Sequence, residues 1–157
     1  MKTLLILRHA KAKRGPEYSS DANRPLSKQG KEDAIRVGQV YREMGLLPDT
    51  VLSSPAKRAR QTAERFCQAA GYAGEIHFRD KLYSGGLSEH VAALRELPDT
   101  AQIALLVGHN PALEELLTYL TLQSASLPTA ALAQVELSIA SWAALGQGTG
   151  RVKTHGI

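Results

Sequence analysis

The sequence predicts an α/β fold with a largely parallel sheet between layers of helices, and three observations lead there. Short apolar runs alternate along the chain with stretches of helical period. The first run, Leu4–Leu7, is four consecutive aliphatic residues, the pattern of a strand covered on both faces. Two later runs pass at once into Pro-containing segments that read as helix starts, as strand-to-helix crossovers do.

Taken in order, strands are expected at Thr3–Leu7, Thr50–Ser53, Ile76–Phe78 and Gln102–Val107, with a fifth at Ala131–Ile139 and a sixth at Gly150–Lys153. Over Lys28–Met44 the apolar residues Ala34, Val37, Tyr41 and Met44 step by three and four, which is one helix face. Ala59, Ala63, Phe66 and Ala70 do the same over Ala56–Ala70, and Gly71 is a suitable stop. Leu87–Leu97 and Pro111–Leu120 complete the helices. From Ser124 the helical period fades, and antiparallel edge strands are expected, with the Gly-rich segment 146–150 as a turn. No repeat, low-complexity segment or linker interrupts residues 1–157, which are read as one domain.

Composition narrows the function. Of 157 residues, 43% are hydrophobic and 22% charged, as in a globular protein with a proper core. No segment approaches the roughly 20 apolar residues of a membrane span, and charges follow the first apolar run too closely for a signal peptide, so no membrane role is expected. Cys67 is the single cysteine; no intramolecular disulfide can form, and a cytoplasmic location is expected. The net charge of +4 suits an anionic partner. The basic residues do not interleave with aromatics, so a phosphate group fits better than nucleic acid.

Three strand ends then point to one place. The first strand ends in Arg8-His9. The second is followed by Ser54-Pro55, the pattern of a capped helix start, which puts Arg58 in the first helical turn. The fourth ends in Gly108-His109, with Asn110 as a possible cap and Pro111 at the first helical position. Ligands of parallel α/β sheets bind outside the carboxyl ends of the strands, where helix N-termini offer free N–H groups to anions. Two arginines can grip phosphate oxygens in bidentate fashion. Their charge disfavours imidazolium, leaving a neutral histidine able to attack phosphorus and form a covalent intermediate. The arginines and the second histidine would neutralise the transition state. No HxH, HExxH or CxxC pattern occurs, so neither a metal nor another cofactor is expected.

The segments "LRHAKA", "SSPAKRARQTAE" and "VGHNP" resemble, in order and spacing, three signatures of the histidine phosphatase (phosphoglycerate-mutase-like) superfamily. The stretch "SSDANRPLSKQGKEDA" is similar to that of the small SixA-type phosphohistidine phosphatases, where an RPL(S/T)xxG segment follows the first signature. The resemblance implies a three-layer α/β/α fold. It implies His9 as the phosphorylated nucleophile and Arg8, Arg58 and His109 as the phosphate-binding, catalytic shell, with Arg24 as a further substrate-facing arginine. Mutase-type members carry a glutamate acid in the loop after the third strand. Here that position is Ser84; Asp80 and Glu89 lie out of register, and Asp21 is a third candidate. A phosphoramidate, whose leaving group is an imidazole, needs such an acid less than an alkyl phosphate does. The short crossover 79–102 leaves little chain to roof the pocket.

Each feature also has a plain structural reading. His77, His90 and His155 have no comparable context and read as surface or structural residues. Cys67 lies near a core stripe, and Trp142 reads as packing. Lys11–Arg14 is a basic loop that could guide a phosphorylated partner, and Arg24-Pro25-Leu26 could be only a turn before a Ser27-capped helix. The expected activity is metal-independent hydrolysis of protein phosphohistidine. The alternatives are a phosphomonoesterase acting on a small phosphate ester and a non-catalytic phosphate-binding module.

Overall fold

The computed structural model describes residues 1–155. Strands β1 (Lys2–Arg8), β2 (Thr50–Ser53), β3 (Ile76–Phe78), β4 (Ile103–Gly108), β5 (Leu132–Leu137) and β6 (Gly150–His155) form one sheet in the order β3-β2-β4-β1-β5-β6. The pairs β3–β2, β2–β4 and β4–β1 are parallel, whereas β5 runs antiparallel to β1 and β6 antiparallel to β5. The helices are α1 (Lys28–Glu43), α2 (Lys57–Ala70), the single turn α3 (Lys81–Ser84), α4 (Leu87–Arg95) and α5 (Ala112–Thr121).

The unbroken apolar run of β1 is explained by its place near the middle of the sheet. Alternate residues point to opposite faces, and both faces are covered. Leu4 and Ile6 pack with Val91, Leu94, Leu113 and Leu117 of α4 and α5. Leu5 and Leu7 pack with Val37, Tyr41, Ala63 and Phe66 of α1 and α2. The result is the expected three-layer α/β/α architecture. Gly38 lets α1 approach α2 closely: a Cβ there would lie 2.5 Å from the Phe66 carbonyl oxygen.

Several local expectations are corrected. Strand β5 is antiparallel as expected but lies inside the sheet, because β6 covers its outer side. Helix α2 starts one residue late, at Lys57, with no side-chain cap. The Ser54 hydroxyl accepts from the Ala56 N–H at 3.2 Å, upstream of the helix. Helix α5 starts at Ala112, and Asn110 does not cap it; its side chain donates instead to the Leu127 carbonyl at 2.8 Å. Trp142 is fully buried, its indole N–H donating to Ala101 O at 2.8 Å. Cys67 is core, and burial pushes its thiol up to about 12. His90 is fully buried, with Nδ1 donating to Gly86 O at 2.6 Å, and His77 is half-buried on β3. The side chain of His155 lies outside the described residues.

Candidate active site

The ends of β1 and β4 lie side by side, with Arg8 opposite Gly108 in the ladder, and the His9 N–H donates to Gly108 O at 3.0 Å. The two histidines therefore leave adjacent strands together, their ring centroids 5.2 Å apart. Arg58, the second residue of α2, enters from the end of β2, the other neighbour of β4. Arg8, His9, Arg24, Arg58 and His109, all five expected site residues, line one cavity of about 290 Å³. A larger cavity of about 540 Å³ lies against α4 and α5, and it is there that Glu89 sits.

Hydrogen bonds fix the tautomer of His9 and the orientation of His109. His9 Nδ1 lies 2.8 Å from the Ala10 carbonyl, which can only accept, so Nδ1 carries the proton and Nε2 keeps its lone pair. His109 Nε2 lies 2.8 Å from Ser54 Oγ. That hydroxyl also accepts from the Ala56 N–H, so Ser54 ties the His109 ring to the start of the α2 segment. His109 Nδ1 is buried without a partner among the described residues. Burial is the largest cause holding His9 down to about 4, with Arg58, Arg8 and Arg24 adding to it. Burial likewise holds His109 down to about 3, followed by the charges of His9 and Arg58. Both rings are neutral at pH 7. The arginines act in the expected direction, but desolvation matters more.

The guanidinium groups are anchored on one side only. Arg8 reaches the Leu127 carbonyl through one terminal nitrogen at 3.3 Å. Arg58 donates to the Asp21 backbone carbonyl at 2.8 Å and to Asp21 Oδ2 at 2.9 Å. The Nε groups of both arginines are buried and unpartnered. Buried donors without acceptors are costly and rare, so an anion that accepts from them offsets a real penalty. Both Nε donors belong to residues lining the same cavity as the His9 imidazole.

Asp21 also accepts from Arg24 at 2.9 Å and from the Tyr83 hydroxyl at 2.9 Å. Burial alone would raise its carboxyl, but hydrogen bonds from Arg24, Tyr83 and Arg58 outweigh that and hold it well below the usual carboxylate range. An aspartate so held is ionised near neutral pH and accepts protons poorly. Glu89 accepts from the Gly86 N–H at 2.6 Å, at the start of α4. Asp80 is exposed, preceding α3.

Three contributors escaped sequence reasoning. Tyr83 packs edge-on against His109, with centroids 5.4 Å apart, while its hydroxyl holds Asp21. Ser54 orients the His109 ring through a contact at Nε2. Thr62, one turn after Arg58 on α2, accepts from the Ala10 N–H at 3.0 Å and steadies the chain beyond His9. Only the i, i+4 spacing of Arg58 and Thr62 was visible in the sequence.

Fold and cavity together define a phosphoglycerate-mutase-like α/β protein with its site at the carboxyl edge of the sheet. The chain belongs to the histidine phosphatase superfamily (branch 1), whose family model matches residues 4–83. It is 33% identical to an uncharacterized chloroplastic protein of Arabidopsis thaliana, over 88% of this chain and 68% of that one. Among solved structures, SixA from Nakamurella multipartitia superposes with a TM-score of 0.84 at 28% identity, covering 99% of this chain and 95% of that one. A protein histidine phosphatase SixA complexed with tungstate superposes equally well, at 23% identity, covering 98% and 96%. The protein is thus a phosphatase of this superfamily. No helix among the described residues is long and apolar enough to cross a membrane.

Proposed function

We propose that the protein is a metal-independent protein phosphohistidine phosphatase that works through a phosphoryl group carried on His9. The observation that carries this reading is the bare Nε2 of His9 in a cavity lined by arginines. His9 lines this cavity together with Arg8, Arg58 and His109, whose side chains suit the equatorial oxygens of a phosphoryl group. In the first step the His9 Nε2 lone pair forms a bond to phosphorus while the P–N bond of the substrate breaks. The departing imidazole takes its proton from solvent. Arg8, Arg58 and His109 hold the phosphoryl oxygens, with Arg24 beside them. In the second step water adds to phosphorus, the P–Nε2 bond breaks, and inorganic phosphate leaves with neutral His9 restored. The guanidinium groups supply the positive charge that a metal supplies elsewhere.

The choice of substrate rests on the missing acid. Asp21 is locked in its ionised form, and Tyr83 spends its proton on Asp21. A leaving imidazole tolerates that environment, while an alkoxide does not. A cytoplasmic setting belongs to the same reading and is supported by the single, buried cysteine. The test is a panel comparing a histidine-phosphorylated protein with sugar phosphates and p-nitrophenyl phosphate. The expected result is a higher kcat/KM on the phosphohistidine protein; preference for the sugar phosphates would assign the site to small esters.

A further inference from the structure

The cavity carries more positive charge than one phosphoryl group can use. Arg8, Lys11, Arg14, Arg24 and Arg58 all line it, and no carboxylate does. Asp21 offsets one of these charges from behind, through Arg24 and Arg58. A bound phosphoryl group brings about two negative charges at most. The surplus sits at the mouth: His9 and Arg58 are buried at the inner end, whereas Lys11 and Arg14 are exposed. Among the described residues neither has a carboxylate within 4.0 Å. The volume is also generous, room for about ten waters at roughly 30 Å³ each, of which a phosphoryl group fills a fraction.

The rim is built rather than loose. The Lys11 carbonyl accepts from the Ser27 N–H at 2.9 Å and the Ser27 hydroxyl at 3.1 Å, and Ala12 bridges to Leu26. The Lys13 N–H donates to Pro25 O at 2.8 Å, and Arg24 Nε donates to Lys13 O at 2.9 Å. Gly30 must lack a side chain, because a Cβ there would collide with the Lys11 carbonyl. The RPLSKQG segment thus clamps the backbone of residues 11–13 onto the start of α1, which holds this basic loop at the cavity mouth.

From this geometry we infer that Lys11 and Arg14 form a second anion subsite, which takes an acidic side chain flanking the phosphohistidine of the partner protein. The inference rests on the protein-substrate reading above. It makes the protein selective among phosphohistidine proteins, through charge at the cavity mouth rather than through the chemistry at its base.

Two histidine-phosphorylated peptides test it, identical except that Asp and Glu flank the phosphohistidine in one and Ser and Asn in the other. The wild-type protein should favour the acidic peptide by about three- to thirtyfold in kcat/KM, the range two exposed ion pairs supply. That preference should fall as salt is raised. The Lys11→Glu/Arg14→Glu protein should reverse it. The ratio is measured on one protein sample, so partial misfolding lowers both rates and leaves it intact. Equal rates on the two peptides, or a ratio unmoved by the charge reversal, would overturn the subsite while leaving the phosphohistidine reading in place. If neither peptide is cleaved while a sugar bisphosphate is hydrolysed faster than a monophosphate, the protein-substrate reading falls as well.

Discussion

The inner end of the cavity and its rim are held by different kinds of structure. Arg8, His9 and His109 emerge from paired strands, and Arg58 from the first turn of a fourteen-residue helix, so sheet and helix hydrogen bonds fix their backbones. The rim, residues 10–27, contains no strand or α-helix beyond one bridge and a single 3₁₀ turn at Asp21–Asn23; side chains bonded to backbone hold it. Asp21 joins the two by charge, gripping Arg58 of the inner end and Arg24 of the rim with a carboxylate whose side chain is 51% exposed. The contrast separates tasks. Phosphorus chemistry needs atoms held to fractions of an ångström, whereas recognition of a partner tolerates a surface that can vary without disturbing the sheet.

The largest expected effect comes from cutting that link. Asp21→Asn keeps the backbone carbonyl that Arg58 uses but loses the charged clamp. Loss of orientation in an arginine proposed to grip phosphate should lower kcat by about ten- to a hundredfold, with a smaller change in KM and little change in Tm. An increase in activity would mean that Asp21 only competes with the substrate for Arg58.

A middle-sized effect concerns stability and comes chiefly from the inner end, with buried His90 of α4, also held below its ordinary value by burial, adding to it in the same direction. His9 and His109 are held down to about 4 and about 3, against an unfolded value near 6.5. Between those limits the unfolded chain binds more protons than the folded one, so stability rises with pH. It should be level above pH 6.5 and fall by about 2 kcal/mol or more as pH drops toward 4. Asp21 acts in a separate, lower window: its stabilising effect is present above the ordinary aspartate range and lost as pH falls below it. Thermal melts of a His9→Asn/His109→Asn protein should show a flatter slope between pH 6.5 and 4, and Lys11→Ala should leave the slope unaltered. An unaltered slope in the histidine variant would place the titrating groups elsewhere.

The smallest effect is at Tyr83. Tyr83→Phe keeps the ring against His109 and removes one hydrogen bond to Asp21. About 1 kcal/mol is at stake, and kcat/KM should fall by about fivefold or less. A loss comparable to that of Asp21→Asn would make the hydroxyl itself part of the chemistry.

The same division decided what could be read in advance. Leu4–Leu7, the α2 stripe and the strand–Pro–helix joints carry local signals, and these carried Arg8, His9, Arg58 and His109 to one sheet edge. The part played by Ser54 at His109, of Asn110 at Leu127 and of Tyr83 at Asp21 depends on contacts between residues 17 to 62 positions apart. No local pattern reports such contacts. Ser54 and Asn110 looked like helix caps because their residue types suit that role, and tertiary partners claimed their side chains instead. The interior position of β5 escaped for a similar reason: its alternation marks one buried face but does not say which strand lies on either side.

The covalent step can be observed directly by rapid quench under alkaline conditions, which preserve phosphohistidine, after mixing with a substrate labelled in its phosphoryl group. The account predicts label on the wild-type protein within one turnover, mapped to His9 and absent from His9→Ala. Label on His109 instead, or turnover by His9→Ala at the wild-type rate, would contradict it.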